Sequence, residues 1–241
     1  MSSRLFLLDG SAVFYRAYFA FIKNPLINSK GQNTSAVYGF LNTLLKILMD
    51  ERPEYLAIVF DTGQPTFRHE LFKEYKATRE KMPDDLRDQL PLIRQMADCL
   101  GIPILELNGY EADDIIGTLS VKGERAGHDV FMVSGDKDFM QLITEKVKMY
   151  AVGKSGMGPE ITSFPEVEKK FGCTPDKVID VLGLMGDTSD NVPGVEGIGP
   201  KTASKLIAEY GSIEGIYEQI DSMKKSKNKE RLIEQKERAL L

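Results

Sequence analysis

Apolar residues fall along this chain in two alternating rhythms. Short unbroken runs occupy Arg4–Asp9 (RLFLLD), Glu54–Asp61 (EYLAIVFD), Ile102–Leu107 (IPILEL), Asp129–Asp136 (DVFMVSGD) and Lys146–Val152 (KVKMYAV). Runs of this length and continuity predict strands buried on both faces. Between them, Thr34–Glu51 carries Val37, Phe40, Leu41, Leu44, Leu45 and Leu48 at helical spacing, and Ala112–Gly127 reads as a helix stopped by its last glycine. Strands alternating with amphipathic helices predict an α/β core with a mainly parallel sheet flanked by helices, placed over residues 1–160. Beyond that point no long strand is evident and short helical segments dominate, so residues 161–241 are predicted to form a helical subdomain.

Composition narrows the setting. The chain has 241 residues, 42% hydrophobic and 28% charged, the proportions of a globular protein of one large domain or one domain with an appendage. Two cysteines far apart exclude a disulfide framework and point to a reducing compartment. Two histidines leave any metal to oxygen ligands. The N-terminal apolar run is broken at Asp9, too early for a signal peptide, and no stretch reaches the roughly 18 apolar residues of a membrane span. A cytoplasmic location is expected, with no membrane partner.

Three of the predicted strands end in aspartate: Asp9, Asp61 and Asp136. In a parallel sheet the C-terminal strand ends lie side by side, and ligands bind there. Glu111, Asp113 and Asp114 open the helix after the third strand and face the same edge. Asp138 follows in GDKD, and Asp187 and Asp190 stand in MGDTSDN. Taken singly, each is an ordinary strand-end, helix-start or loop acid. Together they would repel one another, and hard divalent cations relieve such repulsion. A pair of ions roughly 3.5–4 Å apart is the common arrangement for in-line displacement at phosphorus. Setting these nine acids aside turns the net charge of −5 into +4, compatible with a polyanionic substrate.

VPGVEGIGPKTA (Val192–Ala203) poses a choice. Gly194 and Gly199 have phosphate-loop spacing, but Pro200 stands where the loop lysine belongs, and the preceding GDTSDN is no buried strand. The stretch fits instead a helix-hairpin-helix over about 186–210. Glycines such as Gly197 and Gly199 let the backbone approach a phosphodiester strand. Pro200 suits the first turn of a helix, whose N–H groups face phosphate oxygens, and Lys201 and Lys205 add contacts on one face. A plain Gly-rich turn between packing helices is the alternative, since Lys201 and Lys205 are balanced by Glu196 and Glu209. In Phe67–Pro83, Lys73, Lys76 and Arg79 are interleaved with Phe72 and Tyr75, a pattern suited to phosphate contact and base stacking or to an exposed charged helix. The final KKSKNKERLIEQKERALL carries seven basic residues and three acids and reads as a solvated helix.

LLDGSAVFYRAYFA, VFDTGQPTFRHELFKEYKATR, GYEADDIIGTL, SGDKDFMQL and LMGDTSDNVPGVEGIGPKTASKLI together resemble the 5′-nuclease (flap endonuclease) family, closest to the 5′–3′ exonuclease domain of bacterial DNA polymerases. The resemblance covers nearly the whole chain in motif order. It implies a PIN-like, resolvase-like core, a helical arch at about 65–95 and a helix-three-turn-helix element. It implies two-metal hydrolysis, with Mg²⁺ or Mn²⁺, at 5′ ends and flaps of DNA and at RNA primers in duplex, in replication and repair. Asp9, Asp61, Glu111, Asp113 and Asp114 match the family's first metal group, and Asp136, Asp138, Asp187 and Asp190 its second. Lys76 and Arg79 match arch residues that act at the scissile phosphate, and Arg16 a position near the 5′ strand. A K⁺ ion on main-chain carbonyls around Val195–Gly199 and a linked or separate DNA polymerase are further implications. The expected state is a monomer. The alternatives are a non-catalytic duplex-binding module, marked by missing acids; a nucleotide hydrolase, marked by an intact phosphate loop; and a PIN-type endoribonuclease.

Overall fold

The computed structural model describes residues 2–153 and 158–241. The chain divides into two compact units, residues 2–66 with 81–161, and residues 67–80 with 162–241. The predicted boundary near 160 lies close to this division, but 67–80, expected within the core, packs with the C-terminal unit.

The first unit is built on a sheet of six strands: β1 (Arg4–Asp9), β2 (Tyr55–Val59), β3 (Ile104–Leu105), β4 (Asp129–Val133), β5 (Val147–Ala151) and β6 (Glu160–Thr162), in the order β3-β2-β1-β4-β5-β6. All pairings among β1 to β5 are parallel. Of the predicted Ile102–Leu107 run only two residues pair as a strand. Pro103 has no N–H to give, though its carbonyl still accepts from Ile58.

The first half of the chain supplies α1 (Gly10–Ala20), α2 (Ser35–Lys46), α3 (Phe67–Leu71), α4 (Asp84–Arg87), α5 (Leu90–Cys99) and α6 (Ala112–Arg125). The predicted Thr34–Glu51 helix is α2 continued by a wider π-helical turn over Ile47–Glu51, closed by Arg52 at φ 48°. Alternation along β1 assigns the layers. Phe6 and Leu8 enter a buried cluster with Phe14, Phe40, Ile58 and Ile93, which places α1, α2 and α5 on that side. Leu5 and Leu7 face the other way, where α6 packs so closely that a Cβ on Gly123 would lie 2.9 Å from Leu5 Cδ2.

Gln89 ties α4 and α5 to α2. Its side chain is buried, its Oε1 accepts the N–H groups of Ala36 and Val37 at 2.9 and 3.3 Å, and its Nε2 donates to the Asp85 carbonyl at 2.9 Å. These are orphan donors of the α2 N-terminus, which no N-cap side chain satisfies. The segment expected as an arch is helical only in α3, α4 and the start of α5, with turns over 73–78.

The second unit holds α3 and α7 (Phe164–Phe171), α8 (Val178–Met185), α9 (Pro200–Tyr210), α10 (Ile213–Glu218), α11 (Lys227–Glu234) and α12 (Lys236–Ala239). Its buried side chains include Val167, Val181, Leu184, Ile198, Leu206, Ile216 and Leu232. A Ser163–Glu166 capping box opens α7, and Gly172 in the left-handed region closes it, so local signals set both ends.

Gln89→Ala should leave the Ala36 and Val37 N–H groups buried and unpaired. The expected loss is about 1–3 kcal/mol of unfolding free energy, read from urea denaturation.

Candidate active site and nucleic-acid interface

The sheet places Asp9 where the sequence pattern predicted it. β1 is the inner strand paired with both β2 and β4, with Leu8 opposite Ile58 and Val133 and Asp9 opposite Val59. Asp9 is the last residue of β1 and the N-cap of α1. Its carboxylate is 5% exposed, accepting from the Ala12 N–H at 2.9 Å and from the Ser134 hydroxyl at 2.8 Å. Burial pushes the Asp9 pKa up, the two hydrogen bonds pull it down, and the charges of Asp61 and Asp136 push it up again. The acids that follow β2 and β4 are thus close enough for their charges to act on the carboxylate that ends β1.

Asp61 lies two residues past β2, its oxygens held by the Ala112 N–H at 2.9 Å and the Ser11 hydroxyl at 2.7 Å. Glu111 is buried at the start of α6 and forms a reciprocal capping box with Asp114, which accepts the Glu111 N–H at 2.9 Å. Asp113 and Asp114 stand in the first turn of α6. Asp136 accepts the Asp138 N–H at 3.0 Å, and its own N–H donates to Ser134. Seven of the nine predicted acids thus belong to the first unit. They share its sheet edge without closing on one point: among the described residues, no three Asp, Glu, His or Cys side chains are gathered tightly enough to form a ready-made metal cage. Several are tied back to backbone N–H groups or serine hydroxyls instead. The donor chemistry nevertheless fits a hard cation, with oxygen ligands only and an aspartate disfavoured as an anion by burial and by the charges of Asp61 and Asp136. The serines are the part that strand-end reasoning missed; Ser11 and Ser134 lie two positions from Asp9 and Asp136, the only signal available.

Asp187 and Asp190 belong to the second unit, where the loop after α8 folds back on itself. The Asp187 and Val192 backbones exchange hydrogen bonds, and the Ser189 N–H donates to Asp187 Oδ1 at 2.7 Å. Asp190 is enclosed by residues of the 67–80 segment. Tyr75 donates its hydroxyl to Oδ2 at 3.0 Å, Arg79 Nη2 reaches Oδ1 at 2.5 Å, and Lys76 Nζ lies 3.7 Å from Oδ2. The Lys76 N–H also donates to the Asp190 carbonyl, with Lys76 at φ 55°, and Asn191 Nδ2 donates to the Glu74 carbonyl at 2.7 Å. Tyr75, which the sequence pattern suits to base stacking, is buried, with its hydroxyl on Asp190 and its ring edge-on to His69. Phe72 is half-buried.

The glycine-rich stretch forms a tight turn leading into α9, with Gly199 as N-cap and Pro200 at the first position. Gly186, at φ 73°, meets Gly194 backbone to backbone; a Cβ there would lie 2.3 Å from the Gly194 nitrogen. The Val195 N–H then donates to the Leu184 carbonyl, anchoring the turn on α8. Gly197, Gly199, Lys201 and Lys205 are exposed, as is Arg16 on α1. Of the carbonyls expected to hold K⁺, that of Gly197 accepts from Arg231 Nη1 at 3.1 Å and that of Val195 from the Ile198 N–H. The C-terminal basic stretch is therefore more than a solvated helix: α11 docks on the hairpin, a contact no local pattern announces.

Similarity to known proteins agrees with this geometry. The family model described as 5′–3′ exonuclease, N-terminal resolvase-like domain, matches residues 4–172, and that described as 5′–3′ exonuclease, C-terminal SAM fold, matches residues 173–241. DNA polymerase I of Bacillus subtilis is 47% identical over 239 residues, covering 99% of this chain and 27% of that protein. A 5′–3′ exonuclease of Aquifex aeolicus is 46% identical over 212 residues, covering 88% and 71%. The chain thus spans about a quarter of the polymerases it matches and most of the shorter exonuclease. Among solved structures, the T5 5′-exonuclease with bound divalent zinc has a TM-score of 0.78 at 24% identity, covering 98% of this chain and 86% of that one. The Rad2 catalytic core in complex with DNA substrate has a TM-score of 0.60 at 17% identity, covering 98% and 73%. These structures share the fold.

Asp9→Asn removes a charge that the fold disfavours. A carboxyl with a raised folded-state pKa gives stability that is complete below its unfolded value and lost as pH rises through the folded value. In EDTA at pH 8 the Asn variant should melt above the parent, and the difference should vanish below about pH 4, where Asp9 is protonated in both states. Scanning calorimetry across pH reads this; a variant melting lower at pH 8 contradicts it.

Proposed function

The chain belongs to the 5′–3′ exonuclease family, and on that premise we propose that it is a structure-specific 5′–3′ exonuclease and flap endonuclease hydrolysing phosphodiester bonds of DNA, and of RNA primers, at 5′ ends and junctions. The observation that carries this reading is the placement of Asp9, Asp61 and Asp136 at the C-terminal edge of a parallel sheet, with the Asp9 carboxylate buried and its pKa pushed up by that burial and by the charges of the other two. The T5 enzyme's zinc-bound structure and a T5 flap endonuclease complex with DNA and metal ions support the same reading.

Asp9, Asp61, Glu111, Asp113, Asp114, Asp136 and Asp138 would hold divalent cations, Mg²⁺ or Mn²⁺; Asp187 and Asp190 are the acids of the second unit that the resemblance assigns to the second metal group. When bound, two such cations supply a water nucleophile at neutral pH and charge stabilisation for the attacking and leaving oxygens. The protein's part is to keep the acids in place. Ser11 and Ser134 orient Asp61 and Asp9, and the N-termini of α1 and α6 add fixed N–H donors behind them. Lys76 and Arg79 are a preassembled cationic pair neutralised in part by Asp190. A phosphate competing for them meets donors whose geometry is already set, an electrostatic contribution that needs little reorganisation. Arg16, Gly197, Gly199, Lys201 and Lys205 would hold DNA backbone. The resemblance also implies a K⁺ ion on the Val195–Gly199 carbonyls, where the Gly197 carbonyl is already engaged by Arg231.

In replication and repair the natural setting would be a DNA polymerase, linked or separate, with the nuclease acting as a monomer in the cytoplasm. No helix among the described residues is long and apolar enough to cross a membrane. The second reading, a non-catalytic duplex-binding module, loses force because none of the nine acids is missing.

A 5′-labelled flap duplex should be cut near the junction with Mg²⁺ and left intact in EDTA. Asp136→Asn should lower cleavage more than about 100-fold, beyond the 10–100-fold typical of losing a supporting contact around a metal, with duplex binding little changed. Binding without cleavage by the parent in both Mg²⁺ and Mn²⁺ would favour the binding module.

A further inference from the structure

We propose that Arg231 is a phosphate-binding residue of the hairpin, a cation delivered from α11 and fixed on the hairpin backbone. The inference rests on the reading that this unit holds duplex DNA, and it adds a residue that neither the motif nor the family's matching positions single out.

The hairpin has little charge of its own, since Lys201 and Lys205 are offset by Glu196 and Glu209. A further cation beside the turn would add to the phosphate contacts of Lys201 and Lys205. Arg231 is built into that place. Its Nη1 donates to the Gly197 carbonyl at 3.1 Å. Gly197 sits at φ 82°, and a Cβ there would lie 2.4 Å from the guanidinium carbon, so the absent side chain is what lets the guanidinium lie against the turn. Four residues on, Gln235 Oε1 accepts the Glu196 N–H at 2.8 Å, a second anchor for the same stretch of chain. Arg238 lines the open groove of about 440 Å³ beside Val195–Gly199, so a second cation borders the same turn.

Charge accounting separates Arg231 from three other cations of the unit. Lys76 and Arg79 are paired with Asp190. Lys229 spends its ammonium on the carbonyls of Asp221 and Met223. Arg231, half-buried, has a carbonyl partner and, among the described residues, no carboxylate within ion-pair distance. A guanidinium has five N–H donors in a fixed fork. One bond to Gly197 orients the fork and leaves the rest of it for phosphate oxygens. A carbonyl partner does not neutralise the charge, so it stays available to a polyanion.

The test separates charge from scaffolding. Binding of a 5′-flap duplex is measured by fluorescence anisotropy in EDTA across a KCl series for the parent chain, Arg231→Gln and Arg231→Lys. Gln keeps an N–H donor for the Gly197 carbonyl and loses the charge; Lys keeps the charge and loses the fork. The slope of log K against log salt should fall in magnitude by about 0.9 in Arg231→Gln and stay at the parent value in Arg231→Lys. A parent-like slope in Arg231→Gln, whether or not affinity falls, would show a purely structural contact and overturn the proposal. Failure of the parent chain to bind duplex would overturn both this inference and the reading beneath it. Cleavage of the flap in Mg²⁺ with a parent-like slope in Arg231→Gln would overturn the inference alone.

Discussion

The first unit depends on one constraint, a carboxylate buried at the end of a central strand. β1 pairs with strands on both sides and is covered on both faces, so burial there opposes a charge. Asp9 nevertheless ends it, 5% exposed. Two hydrogen bonds, from the Ala12 N–H and the Ser134 hydroxyl, make the position tolerable; the charges of Asp61 and Asp136 make it less so. A fold that accepts this cost has placed a group where only a cation or a proton relieves it. The rest of the edge follows. α1 starts on Asp9 itself, Ser11 from its first turn holds Asp61, and Asp61 in turn takes an N–H from the start of α6. One strand end, two helix starts and two neighbouring strand exits are thereby locked to each other.

The second unit solves a different problem, that of keeping a glycine-rich turn exposed while staying folded. Its hairpin has glycines where other residues would have packing side chains. The missing contacts are replaced from both sides: Gly186 and Gly194 touch backbone to backbone, and α11 reaches over with Arg231 and Gln235. The same economy appears around Asp190, where a tyrosine hydroxyl, a lysine and an arginine from a short segment far away in sequence converge on one carboxylate. Both arrangements put cations beside main chain and hold them by hydrogen bonds, so that charge is oriented before any ligand arrives. Orientation of that kind lowers the reorganisation needed when a phosphate binds.

Local sequence determined a large part of this protein. Continuous apolar runs announce β1, β2, β4 and β5 because strands covered on both faces need apolar residues at every position. Gly127 and the Ser163–Glu166 box set helix ends through contacts within a few residues. The aspartates at Asp9, Asp61 and Asp136 were legible because a parallel sheet must align its strand ends. What only the tertiary structure decided involves partners distant in the chain: the buried Gln89 that satisfies the α2 N-terminus, Ser134 on Asp9, Tyr75 on Asp190 and Arg231 on Gly197. A residue's periodicity tells which face it prefers to bury. It carries no information about which orphan donor or acceptor waits there, because that depends on where another segment, free to be anywhere in an unfolded chain, comes to rest.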